Sequence, residues 1–187
     1  MYGLINKAVR ELVLEEFGSE TWDRIREEAN VADEAFVSME RYPDEVTYSL
    51  VGASSKVLGI SPAEVLETFG EYWVKFADES YGEFLTSAGD SFPEFLQNLD
   101  EMHARIQLVF PELIPPSFRV ASQEGNRVQL HYHSEREGLA PLAVGMLTGV
   151  SKRFGVDLSV QHARDSGDRF DVFDITYAPT ESDPLSK

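Results

Sequence analysis

Three prolines, Pro111, Pro115 and Pro116, divide this chain into two kinds of pattern. Before them, apolar residues recur at helical spacing; after them, alternation takes over. None of the three can continue an α-helix, because proline lacks the N–H of the hydrogen-bond ladder and its ring clashes with the preceding turn. A chain that runs helices first and strands afterwards is expected to be α+β, with its sheet in the C-terminal half.

The helical half has clear punctuation. Tyr2 to Phe17 is amphipathic through Leu4, Ile5, Ala8, Val9, Leu12 and Val13, and Gly18 stops it. A second helix opens at Ser19 or Glu20 and runs to about Asn30. Tyr42-Pro43-Asp44 is a turn and N-cap before a third helix, Glu45 to Leu58, closed by Gly59. Ser61-Pro62-Ala63-Glu64 carries cap, first-turn proline and capping-box glutamate in order, opening a fourth helix through Phe76. Ser91 or Asp90 caps a fifth, from Pro93 to Phe110, whose inward stripe is Phe92, Phe95, Leu96, Leu99, Met102, Ile106 and Phe110.

Beyond the prolines, strands are expected at Phe118–Gln123 and Arg127–Ser134, joined by Glu124-Gly125-Asn126. A helix over Leu139–Phe154 follows, then a strand over Val156–Ala163, a loop over Arg164–Gly167 and a strand over Arg169–Tyr177. Phe170, Val172 and Phe173 are its core candidates, and the remaining tail is polar. The glycines of Val51-Gly52-Ala53 and of Gly145 to Gly149 read as close helix packing.

Composition excludes several functions. The 16 basic against 33 acidic residues leave a net charge of -17, which repels nucleic acid and anionic lipid. Cys 0 rules out disulfides, thiolate metal sites and cysteine nucleophiles. The N-terminus is no signal peptide and no apolar run spans a bilayer, so a cytoplasmic protein is expected. No Walker loop, Rossmann fingerprint, G-x-S-x-G or H-E-x-x-H is present.

Two constellations could carry chemistry. His103 follows Leu99 by four and precedes Ile106 by three, so it lies on the inward stripe of its helix. Either it is a core histidine satisfied by hydrogen bonds, or its imidazole ligates a buried metal or haem iron. Tyr132, Ser134 and Arg136 would share one face of a strand, about 6.6 to 7 Å apart. Phenol, hydroxyl and guanidinium in a row suit carboxylates or a phosphate; the plain alternative is an edge strand with ordinary surface polars. His131 and His133 on the opposite face form a weak zinc motif that His162 or Glu137 would have to complete.

Taken in order, MYGLINKAV, FGEYWV, NLDEMHARIQLVFPELIPPSF and HYHSEREGL resemble the haem-nitric oxide/oxygen binding domain, over essentially Met1 to Tyr177. This is the haem domain of soluble guanylate cyclase and its stand-alone bacterial relatives. The resemblance implies one unit over residues 1–180, with a polar tail at 181–187. Within it, a helical distal subdomain of about 1–60 packs on a proximal subdomain of about 61–180. The proximal part carries the histidine helix and a four-stranded antiparallel sheet, with haem b between the two.

The same resemblance makes His103 the iron ligand, and Tyr132, Ser134 and Arg136 the residues holding the haem propionates. Pro116 matches a proline that presses on the porphyrin, and Ile5 a distal apolar contact. Trp73 falls near the distal pocket, and Asp44 matches an acid that pairs with the motif arginine, helix capping being its plain alternative. Oxygen-binding members carry a distal tyrosine past this motif; counting six residues beyond Arg136 lands on Leu142. Leucine cannot donate a hydrogen bond to bound O2, so a nitric oxide sensor is implied, with carbon monoxide as a further ligand. No catalysis of its own is expected, and the signal would pass to a separate protein, such as a histidine kinase or a cyclic-dinucleotide enzyme. The competing functions are an oxygen-binding member using the Trp73 indole and a haem-free interaction module.

Overall fold

The computed structural model describes residues 1–32, 35–164 and 170–180. Seven helices and four strands form among them. The helices are α1 (Gly3–Phe17), α2 (Ser19–Glu28), α3 (Asp44–Leu58), α4 (Pro62–Thr86), α5 (Phe92–Gln97), α6 (Leu99–Gln107) and α7 (Ala140–Arg153). The strands are β1 (Ser117–Glu124), β2 (Arg127–His133), β3 (Val156–Arg164) and β4 (Asp171–Pro179). They make one antiparallel sheet in the order β1-β2-β4-β3. The α+β class and the four-stranded sheet are as expected. The expected loop at 165–167, the strand start at Arg169 and the tail at 181–187 lie outside the described residues.

Two apolar clusters organise the molecule. One joins α5, α6, α7 and the sheet around Phe92, Phe95, Leu130 and Phe173. The other joins α1, α2 and α3 around Ile25 and Leu50. Helix α4 contributes to both, with Phe69, Tyr72 and Phe76 in the second and Val74, Ala77 and Leu85 in the first. Its start is the expected capping box: Ser61 Oγ accepts from Glu64 N–H at 3.2 Å, and the Glu64 carboxylate accepts from Ser61 N–H at 2.8 Å. The helix extends ten residues beyond the expected Phe76 and is interrupted at Tyr81, which sits at φ -143°, ψ 29°.

Helices α4 and α7 touch backbone to backbone. A Cβ added to Gly145 would lie 2.0 Å from the Glu67 carbonyl oxygen, and one on Gly70 2.2 Å from that of Leu142. Hydrogen is the only side chain these positions accept. Gly52, by contrast, meets nothing within 4 Å, so its expected packing role is absent.

Four further expectations change. The single helix over 93–110 is two short ones, because Asn98 leaves the helical region (φ -100°, ψ 6°) and donates from Nδ2 to the Ala88 carbonyl at 2.9 Å. Asparagine side chains compete in this way with the helical ladder. Neither Ser91 nor Asp90 caps α5 through its side chain; the Asp90 N–H instead donates to the Glu94 carboxylate at 3.0 Å. Helix α6 stops at Gln107, three residues short of the expected Phe110, and a looser turn closed by the Phe110 N–H on the Ile106 carbonyl at 2.9 Å leads to Pro111. In β4 the expected Phe173 is fully buried, joined by Ile175, opposite Leu130 and Val128, while the expected Phe170 and Val172 are only partly covered.

Candidate functional site

Between the two clusters lies a cavity of about 270 Å³, lined mostly by apolar side chains. All eight residues singled out in the sequence line it: Ile5, Trp73, His103, Pro116, Tyr132, Ser134, Arg136 and Leu142. They arrive from α1, α4, α6, α7, strand β2 and the segments after α6 and β2.

Ile5, Trp73 and Leu142 form an apolar wall. Trp73 stacks on Phe76 one turn later, with ring centroids 5.7 Å apart and an interplanar angle of 26°. The close approach of α4 and α7 brings Leu142 to the same wall.

His103 stands on α6 with its ring centroid 6.0 Å from that of Phe118. Its Nδ1 is buried and has no hydrogen-bond partner. Burial pushes the imidazole below its ordinary range, against the opposing pull of Asp100 and of the Pro116 carbonyl. The His103 Nδ1 is thus not satisfied by an ordinary hydrogen bond, as that of a core histidine would be. A neutral imidazole with an orphaned nitrogen beside a cavity fits a metal ligand, which needs the unprotonated ring.

Asp100, which the sequence reading passed over, ties this helix to the sheet. Its carboxylate accepts from Ser117 Oγ at 2.8 Å and from the Phe118 N–H at 2.7 Å. Its place three residues before His103, on the same helix face, was the available signal.

The donor row is assembled differently from expectation. Strand β2 ends at His133, so Ser134 and Arg136 lie on the turn beyond it rather than on one strand face. The Arg136 N–H donates to Ser134 Oγ at 3.1 Å, and this turn still directs all three residues to the cavity. Tyr132 is buried between Phe118 and Phe173. Burial pushes its phenol up, with the Ser134 hydroxyl beside it pulling the other way.

Arg136 donates from Nε to Asp44 Oδ2 at 2.7 Å and from Nη1 to the Ile114 carbonyl at 3.0 Å. Asp44 is thus the arginine's partner and the first residue of α3, whose N-cap position is Pro43. Burial raises the Asp44 carboxyl, but hydrogen bonds from the Met1 amino group and Arg136 outweigh it and hold it below the usual carboxylate range.

Three other residues of the lining escaped sequence reasoning. Arg41 donates from Nη1 to Glu112 Oε2 at 2.8 Å, and both line the cavity. Tyr81, at the interruption in α4, meets Phe110 edge-on at 6.1 Å. Each depends on contacts across the fold and leaves no local spacing.

The histidine pair on β2 forms no metal centre. His131 stacks on Phe170 at 4.4 Å, His162 Nε2 pairs with Asp171 Oδ1 at 2.7 Å, and the Glu137 carbonyl accepts from Tyr48. Among the described residues no group of three or more histidine or carboxylate side chains could hold a metal ion. No helix among them is long and apolar enough to cross a membrane.

Comparison with known proteins places this geometry. The Haem-NO-binding family profile matches residues 2–162. Soluble guanylate cyclase gcy-35 of Caenorhabditis elegans is 31% identical over 158 residues, covering 82% of this chain and 23% of that protein. Soluble guanylate cyclase 89Db of Drosophila melanogaster is 27% identical over 161 residues, 85% of this chain and 24% of that protein. The chain thus spans about a quarter of the length of these relatives. Among solved structures, an H-NOX protein from S. oneidensis in the Fe(II) ligation state superposes with a TM-score of 0.87 at 20% identity, over 97% of this chain and 98% of that one. The Fe(II) unliganded H-NOX protein from K. algicida gives 0.84 at 20% identity, over 97% and 99%.

Proposed function

The chain belongs to the Haem-NO-binding family, a family of haem-based gas sensors, and from that premise we propose that it is a nitric oxide sensor holding haem b in the cavity described above. One observation carries this: an orphaned imidazole, a polar donor row and an apolar wall, each picked out by separate stretches of sequence, line a single cavity. Residues 1–180 act as one sensing unit in this proposal, with its helical N-terminal part on the distal side.

His103 would hold the iron, and Tyr132, Ser134 and Arg136 the propionates, with Asp44 keeping the Arg136 guanidinium oriented. When bound, ferrous haem would supply an iron able to take nitric oxide as well as the His103 imidazole. Everything else is done by the chain. Ile5, Leu142 and Trp73 keep water and hydrogen-bond donors sparse on the distal side, which disfavours retention of oxygen. Pro116 presses on the ligand from the histidine side.

Helix α6, which carries His103, is tied to β1 by Asp100 and to the following loop by the bond from Gln107 Nε2 to the Leu113 carbonyl. A nine-residue helix, packed through Leu99 and Met102 and otherwise tied by these bonds and by Arg105 to the Ser87 carbonyl, would shift as a unit. A separate signalling protein, a histidine kinase or a cyclic-dinucleotide enzyme, would read that shift. The unit itself performs no catalysis in this scheme.

The test is an anaerobic absorption spectrum of the reduced, haem-loaded chain, repeated with nitric oxide and then in air. A single five-coordinate ferrous band that shifts to shorter wavelength with nitric oxide, with no oxy spectrum in air, is expected. A stable oxy form would make the Trp73 indole the first donor to examine. Failure to take up haem would favour an interaction module.

A further inference from the structure

We propose that Arg41 is a second carboxylate-binding residue of this cavity, receiving one acidic group of the ligand in exchange for Glu112; this rests on the haem assignment above. Among the described residues, the guanidinium groups lining the cavity are those of Arg41 and Arg136. Both grip the loop between α6 and β1. Arg41 bonds the Glu112 side chain at 2.8 Å, and Arg136 bonds the Ile114 carbonyl at 3.0 Å. Two residues of chain reach about 7 Å at most, so the partners of the two cations lie along one stretch of rim.

The rest of the lining is predominantly apolar, so the charged edge of any ligand belongs at this rim. A ligand with two carboxylates calls for two cations. Arg136 is already shared with Asp44 and the Ile114 carbonyl.

The two ion pairs differ in how readily they exchange. Arg136 and Asp44 have side chains 21% and 35% exposed, and Asp44 also pairs with the Met1 amino group. Arg41 and Glu112 are 55% and 64% exposed. An exposed pair contributes little to stability, so trading its acidic member for a ligand carboxylate costs little. Glu112 itself lines the cavity, where its charge opposes an incoming carboxylate until its side chain turns to water. The backbone of Arg41 is fixed meanwhile by its β-bridge to Tyr2 and by the bond from Gly3 N–H to the Glu40 carbonyl at 2.7 Å.

The experiment measures haem release from the loaded full chain to excess apomyoglobin, using haem and its dimethyl ester at low and high salt. Arg41→Gln is expected to release haem about two- to fivefold faster than the unaltered chain, the range of one exposed charge pair. Arg41→Lys should restore most of the difference, and Glu112→Gln should slow release by freeing Arg41. With the dimethyl ester the Arg41→Gln effect should vanish, and with haem it should shrink in high salt. Equal rates with haem, or the same acceleration with the ester, would overturn the role of Arg41 while leaving the haem assignment intact. A chain that takes up no haem would remove both.

Discussion

The two long sides of the cavity are built on opposite plans. On the apolar side, α4 and α7 meet through Gly70 and Gly145 with no room for a methyl group, and Trp73 and Leu142 are carried on that rigid contact, with Ile5 of α1 completing the wall. On the histidine side, α6 has nine residues, begins at a break and ends before a proline. It is fastened by polar bonds from Asp100, Asn98 and Gln107. Close-packed backbones transmit strain and do not slide, whereas a short helix held by a few hydrogen bonds has more than one accessible position. The fixed wall suits selection of the ligand, and the tethered wall suits reporting its arrival.

The contrast breaks outright if His103 is not the anchor of the tethered side. His103→Gly is expected to reduce haem content to near zero, with added imidazole restoring it; unchanged content by absorption would remove the residue from the site. On the fixed side, Gly145→Val drives a side chain into the Glu67 carbonyl and should lower unfolding free energy by about 3 kcal/mol or more, measured by denaturant titration. An effect below about 0.5 kcal/mol, the scale of an ordinary surface change, would mean that α4 and α7 yield.

Leu142→Tyr places a phenol on the wall and should introduce measurable oxygen affinity in the reduced protein without altering the fold. Asp100→Ala loosens the opposite side. A loss of about 1 to 2 kcal/mol is expected, with faster amide exchange in α6 but not in α7; equal acceleration in both would erase the distinction between the walls. The smallest effect concerns acid. Asp44 is held below the usual carboxylate range, so its contribution is complete above the ordinary aspartate value of about 4 and is lost as pH falls through its lowered folded value. Asp44→Asn should flatten that acid limb of the stability curve, and an unchanged limb would show that the Arg136 pair contributes nothing.

Much of this was legible in the sequence because it is local. The capping box at Ser61 and Glu64, the stop at Gly59 and the prolines after Phe110 act through the nearest backbone, so their residue types suffice. Tyr132, Ser134 and Arg136 reached the cavity although their strand geometry was misjudged, because a turn closed on Ser134 redirects the last two. The phase of β4 was not legible. Phe170 and Val172 offer one alternation and Phe173, Ile175 and Tyr177 another, and only pairing with Leu130 and Val128 decides between them. Asn98 falls on the polar face of an unbroken helical pattern, and its exit from the helix depends on the Ala88 carbonyl ten residues earlier. Arg41, Glu112 and Tyr81 enter the site through contacts between distant segments, which no single stretch encodes.

The interruption of α4 at Tyr81 has a mechanical consequence. An unbroken 25-residue helix would behave as a stiff rod of about 38 Å. A push delivered by Phe110 at one end would then be felt at Gly70, where the selecting wall is anchored. With the backbone leaving helical dihedrals at Tyr81, whose ring Phe110 meets, the last turns can act as a compliant joint that absorbs such a displacement. In the proposed scheme such a joint would insulate one function from the other: the part that moves to report a bound gas need not disturb the part that chose it.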